Sequence, residues 1–115
     1  MGRDLVNAIC AAFPGAERSD PWGGGHDAWK VGGRMFACIG ARTPGVSVKT
    51  PDPATARMLI DCGVAARAPY LHPSWVLLPL DSPEAELSHR IAVSYRLVRA
   101  GLPRRLREGL APLDG

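Results

Sequence analysis

The stretch Asp27-Ala28-Trp29-Lys30-Val31-Gly32-Gly33-Arg34-Met35-Phe36-Ala37-Cys38-Ile39 decides the fold. Two apolar-rich runs flank a pair of glycines, and a type I′ or II′ turn needs positive φ angles that cost little only for Gly and a few polar residues. The segment therefore predicts an antiparallel hairpin. Plain alternation puts Met35, Ala37 and Ile39 on one face and Arg34, Phe36 and Cys38 on the other, so part of the sheet is covered on both sides.

Outward from the hairpin, Gly45 to Lys49 alternates Val46 and Val48 against Ser47 and Lys49 and reads as a further strand. Glu17 to Trp22 reads as a short strand, after which Gly23-Gly24-Gly25 frees the backbone to turn. Asp4 to Phe13 carries Leu5, Val6, Ile9, Cys10 and Phe13 at helical spacing and stops at Pro14-Gly15. Asp52-Pro53 has the form of an N-cap followed by proline at the first helical position, opening a helix that closes at Gly63 with a left-handed cap. The connection Ala68-Pro69-Tyr70-Leu71-His72-Pro73 leads to a strand from Trp75 to Leu80.

Ser82-Pro83-Glu84-Ala85-Glu86 predicts the start of a long helix, with a capping hydroxyl and two carboxylates at the positive end of the helix dipole. Leu87, Ile91, Tyr95, Val98 and Leu102 form its core stripe, with His89 and Arg96 near the opposite side and Arg90 and Arg99 on the flanks. Pro103 stops it, and Arg104-Arg105-Leu106-Arg107 forms one further turn. The fold class that follows is α+β, an antiparallel sheet packed against two or three helices in a two-layer sandwich, as a single domain over residues 1–115.

At 46% apolar and 22% charged residues in 115, the composition is globular. No apolar run approaches the roughly 18 residues that cross a bilayer, and the first residues lack the pattern of a secretion signal, so the expectation is a cytoplasmic protein with no membrane partner. Cys10, Cys38 and Cys62 are odd in number, far apart and set among apolar residues, which reads as core filling in a reducing compartment. Charge is segregated. His89 to Arg107 holds Arg90, Arg96, Arg99, Arg104, Arg105 and Arg107 with no acid, so of 14 basic residues only 8 remain to face the 11 acids elsewhere. Such a local positive field attracts polyanions even when the remaining chain is mildly acidic.

Several short motifs recur together in one order: Pro14-Gly15, Trp22-Gly23, Val31-Gly32-Gly33-Arg34-Met35-Phe36-Ala37, Val46-Ser47-Val48-Lys49, Pro69-Tyr70-Leu71, Trp75-Val76, Ser94-Tyr95-Arg96-Leu97-Val98 and Leu102-Pro103-Arg104-Arg105. In content and spacing this set resembles the MmcQ/YjbR family. The resemblance implies a CyaY-like fold, an antiparallel sheet backed by helices, and a DNA-binding role. Arg34 stands where the family usually has Lys, which keeps the charge but changes its shape, and Gly23-Gly24-Gly25 is more glycine-rich than usual.

Candidate chemistry is sparse. His26, His72 and His89 lie in separate elements without metal-ligand spacing, and Ser94 beside Tyr95 has no nucleophile-elbow context, so a catalyst, a cofactor and a metal are not expected. The glycine runs lack phosphate-loop patterns. Lys30, Arg34 and Lys49 on the sheet, or Arg96, Arg99, Arg104, Arg105 and Arg107 at the C-terminal end, are the candidates for contacting nucleic-acid phosphates; the alternative for the arginines is a solvated helix face. Trp22, Trp29, Trp75 and Tyr70 are the candidates for stacking on bases, a planar small molecule or a protein partner, against the alternative that the tryptophans fill the interface between sheet and helices.

Overall fold

The protein is described here by a computed structural model covering residues 2–21, 23–42 and 44–113. Its elements run α1 (Gly2–Ala11), β1 (Glu17–Ser19), β2 (Asp27–Val31), β3 (Arg34–Ile39), β4 (Gly45–Lys49), α2 (Pro53–Asp61), β5 (Ala66–Arg67), β6 (Trp75–Pro79), α3 (Glu84–Ala100) and α4 (Arg104–Glu108). The six strands make one antiparallel sheet in the order β1-β2-β3-β4-β6-β5. Gly32 and Gly33, at φ 58° and 81°, turn β2 into β3 as the hairpin reading required.

One face of the sheet packs on the helices. Trp29, Val31, Ala37, Ile39, Val46, Val48, Val76 and Leu78 point there and meet Val6 and Cys10 of α1, Ala56 and Leu59 of α2, and the α3 stripe Leu87, Ile91, Tyr95 and Val98. Tyr95 is the centre of this core. It stacks on Phe13 at 4.5 Å, meets Phe36 edge-on at 5.2 Å, and donates its hydroxyl to the Pro14 carbonyl over 2.6 Å. The ring therefore binds the end of α1 to the sheet while its one polar atom stays satisfied.

Strict alternation fails in β3. Trp29 lies opposite Ala37 but Lys30 opposite Met35, so Phe36 is an extra residue with no cross-strand partner. A bulge of this kind lets two successive side chains lean to one side. Phe36 joins Ala37 and Ile39 in the core, whereas Met35 moves to the other face with Cys38, the reverse of the expected placement of both. The interrupted ladder is closed from outside. Ser94 of α3 donates to the Phe36 carbonyl over 2.6 Å and accepts from the Lys49 amide over 2.8 Å.

Two further expectations change. Ser82 does not cap α3: its hydroxyl donates back to the Pro79 carbonyl over 2.7 Å, and the helix starts after Pro83 without a side-chain cap. Cys10 and Cys38 are buried, as core filling demands, but Cys62 is exposed at the C-terminal cap of α2, where the chain has already left the sheet. As expected, the sheet packs against three helices, α1, α2 and α3, and the turn after Pro103 forms α4, which buries none of its residues. Among the described residues, no helix is long and apolar enough to cross a membrane.

Candidate functional site

The C-terminal end of α3 is where cationic side chains converge. A helix leaves its last carbonyls without intrahelical donors, and here two of them are taken by arginines from different elements. Arg34, beside the β2–β3 turn, donates to the Gly101 carbonyl over 2.8 Å, and Arg107 of α4 donates to the Ala100 carbonyl over 3.3 Å. Packing enforces the approach of the turn to the helix end. Leu102 is 4% exposed and lies against Gly32, where an added Cβ would come within 2.8 Å of the leucine methyls.

Around this anchor, Arg104, Arg105 and Arg107 on α4 and Arg96 on α3 are exposed. Arg104 pairs with Glu108 at 2.7 Å across largely exposed side chains, an ion pair of small worth in water. Arg99 is half-buried, its guanidinium 6.0 Å above the Tyr95 ring and 3.1 Å from the Tyr95 hydroxyl. That contact makes Arg99 part of the core's edge. Five of the expected phosphate-binding residues, Arg34, Arg96, Arg104, Arg105 and Arg107, thus share one end of the molecule.

Lys30 and Lys49 do not join them. By alternation both belong to the sheet face turned away from the helices, Lys30 opposite Met35 and Glu17 on its two sides, and Lys49 opposite Trp75. An acid directly across a strand from Lys30 offsets its field. The sheet and the C-terminal end are therefore two regions, not one patch.

The stacking candidates also separate. Trp29 is 6% exposed on the helix-facing side and donates its indole N–H to Asn7 Oδ1 over 2.8 Å, so it packs the core and presents no ring for a partner. Trp75 is half-buried. Trp22 lies outside the described residues. Among the described candidates, Tyr70 alone stands fully in solvent, with a left-handed backbone at φ 65° that costs a non-glycine residue energy.

Tyr70 lines a cavity of about 500 Å³ on the outer sheet face, together with Pro69, Leu71, His26 and, from the sheet, Cys38 and Ser47. Burial pushes the Cys38 thiol up, as does the nearby Asp27 carboxylate. A second hollow, beside the glycine loop, is polar, and its charges meet one another. Asp27 accepts from Arg3 at 2.8 Å and from Asn7 at 3.1 Å, while the Asp20 carboxylate accepts from the Gly25 and His26 amides. Burial alone would raise the Asp27 carboxyl, but those hydrogen bonds and the Arg3 and Arg18 charges hold it below the usual range. Among the described residues no group of three or more His, Cys, Asp or Glu side chains could hold a metal ion.

The YjbR family model matches residues 11–97, from the end of α1 through most of α3. The chain belongs to the YjbR family. Its fold is shared with the crystal structure of Deinococcus radiodurans protein DR2400, a DUF419 domain, at a TM-score of 0.80 and 24% identity over 92% of this chain and 85% of that one. No curated protein matches the chain. The family match ends before Arg99, so α4 and most of the arginine cluster lie beyond it.

Sequence reasoning found the cationic end but not its cause. By its strand position Arg34 belongs with the sheet lysines; the approach of the hairpin tip to α3 brings it to the helix end instead. Of the stacking candidates, Tyr70 lines the cavity on the sheet. The sheet contributes two small side chains to it, Cys38 and Ser47, paired across β3 and β4.

Proposed function

We propose that this YjbR-family domain is a non-enzymatic binding module that contacts the phosphates of DNA through the arginines gathered at the C-terminal end of α3. The observation that carries the reading is the convergence of Arg34 and Arg107 on the successive carbonyls of Gly101 and Ala100. A guanidinium has five N–H donors in a rigid fork. Spending one on a helix carbonyl fixes the head group and leaves the others for phosphate oxygens, at a reduced entropic cost of ordering the side chain. Arg104 and Arg105 extend the same surface along α4, and Glu108 is the sole acid within that short helix.

Contacts of this kind hold a duplex by its backbone without reading its sequence. Binding is then sequence-tolerant and driven by release of counterions. The test is fluorescence anisotropy with a short labelled duplex at low salt. An Arg105→Glu/Arg107→Glu variant should lose about tenfold or more in affinity, while Lys30→Glu/Lys49→Glu should lose about twofold or less. Equal losses from the two variants would move the interface to the sheet, and absence of binding by the unmodified protein would end the proposal.

A further inference from the structure

α4 carries Arg104, Arg105 and Arg107, yet packing within the helix does not hold it in place. It is five residues long, and every residue from Pro103 to Gly109 is exposed. A helix that short does not persist on backbone hydrogen bonds alone, because nucleation is costly and helices in proteins are stabilised mainly by packing. Its order must come from its flanks.

Each flank is pinned by a leucine set on a glycine. Before α4, Leu102 is buried and takes the space that a Cβ would need at Gly32, the hairpin tip. After α4, Leu110 is partly buried against the core and takes the space above Gly15, where an added Cβ would collide with a Leu110 methyl. Both glycines have positive φ, 58° at Gly32 and 72° at Gly15, so the backbone conformation and the leucine's need for space select the same residue. The two glycines belong to different parts of the fold, one to the β2–β3 turn and one to the connection after α1. α4 is thus a bridge held at two points, with Arg107 bonded to the Ala100 carbonyl between them. α4 and both leucines lie beyond the family match, which ends at residue 97.

We infer that this two-point clamp makes the arginine site selective for a rigid duplex over a flexible single strand. The inference rests on the phosphate-binding reading of the same site. A duplex presents its phosphates at a fixed spacing and so favours cations held at fixed positions, whose ordering then costs nothing in the binding step. A single strand adapts its own backbone to the cations it meets and gains far less from the clamp. Leu110 is therefore a positioning residue. It touches no phosphate and acts through Arg104, Arg105 and Arg107.

A short labelled duplex and a labelled thymidine homopolymer with the same number of phosphates are titrated with the unmodified protein and with Leu110→Ala, Leu110→Met and Leu106→Ala. The ¹³Cα shifts of residues 104–108 are recorded for each protein without ligand. The unmodified protein should prefer the duplex. Leu110→Ala should lose the helical shifts and weaken duplex binding about fivefold, with homopolymer binding changed by less than about twofold. Leu110→Met keeps the bulk and should behave as the unmodified protein does, and Leu106→Ala, which truncates an exposed leucine of α4 outside the clamp, should leave both affinities within about twofold. The clamp is overturned if Leu110→Ala keeps the helical shifts and the duplex affinity, if it weakens both ligands equally, or if the unmodified protein prefers the homopolymer. If the unmodified protein binds neither ligand, the arginine reading itself fails and the selectivity falls with it.

Discussion

The Ser94 hydroxyl donates to the carbonyl of Phe36, 58 residues earlier in the chain, over 2.6 Å, and in turn accepts from the Lys49 amide. The bulge at Phe36 takes two backbone groups out of the sheet ladder, and a side chain from α3 replaces what the strands cannot give each other. Ser94→Ala leaves the buried Phe36 carbonyl and the part-buried Lys49 amide without this partner, which should cost about 2–3 kcal/mol. Urea unfolding measures this. A loss under about 0.5 kcal/mol would mean that β3 and β4 close the gap without help.

Tyr95 offers a graded comparison at the same helix. Tyr95→Phe keeps the contacts with Phe13 and Phe36 and loses the bond to Pro14, so it should cost about 1 kcal/mol, while Tyr95→Ala should cost about 3–5 kcal/mol. The order of the two, read from denaturant midpoints, is the check. Similar losses would make the hydroxyl rather than the ring the main tie to α1.

Acid should weaken the fold partly through Asp27. Its carboxyl lies below the usual range in the folded protein, so on acidification the unfolded chain takes up the proton first and gains relative to the native state. The stabilisation is complete above about pH 4, the ordinary value, and fades as pH falls through the depressed folded value. The difference in unfolding free energy between the protein and Asp27→Asn should shrink across that window. A difference that stays constant down to about pH 2 would contradict the role given to Arg3 and Asn7.

The three thiols should differ in reactivity. Burial pushes Cys10 up to about 12, and Cys38 is raised for the same reason, whereas Cys62 is exposed. A thiolate-directed reagent should label Cys62 rapidly in the native protein, Cys38 slowly through the cavity that it lines, and Cys10 only on unfolding. Rapid native labelling at Cys10 would show that α1 opens far more readily than its packing implies.

Local patterns were legible where one interaction decides them. Gly32-Gly33 dictates the hairpin because few other residues take two positive φ angles, Asp52-Pro53 starts α2 with the expected bond from the Thr55 amide to the Asp52 carboxylate, and the stripe Leu87, Ile91, Tyr95 and Val98 of α3 is buried throughout, with Leu102 just past its end. What stayed hidden depended on partners distant in sequence. Phe36 changes face because Trp29 and Lys30 set an uneven register, and Ser82 turns back to Pro79 although its position suits a cap. The candidate site divides the same way. Charge segregation marked the arginines of residues 96–107, while Arg34 joins them only through the packing of Leu102 on Gly32, and Trp29 is withdrawn from any binding face by Asn7.

The salt dependence of duplex binding tests the central claim most directly. If the arginines around the end of α3 engage about four phosphates, the logarithm of the association constant should fall with the logarithm of salt at a slope of about −3 to −4 between about 50 and 200 mM. A slope near zero, or no association at the lowest salt, would contradict it.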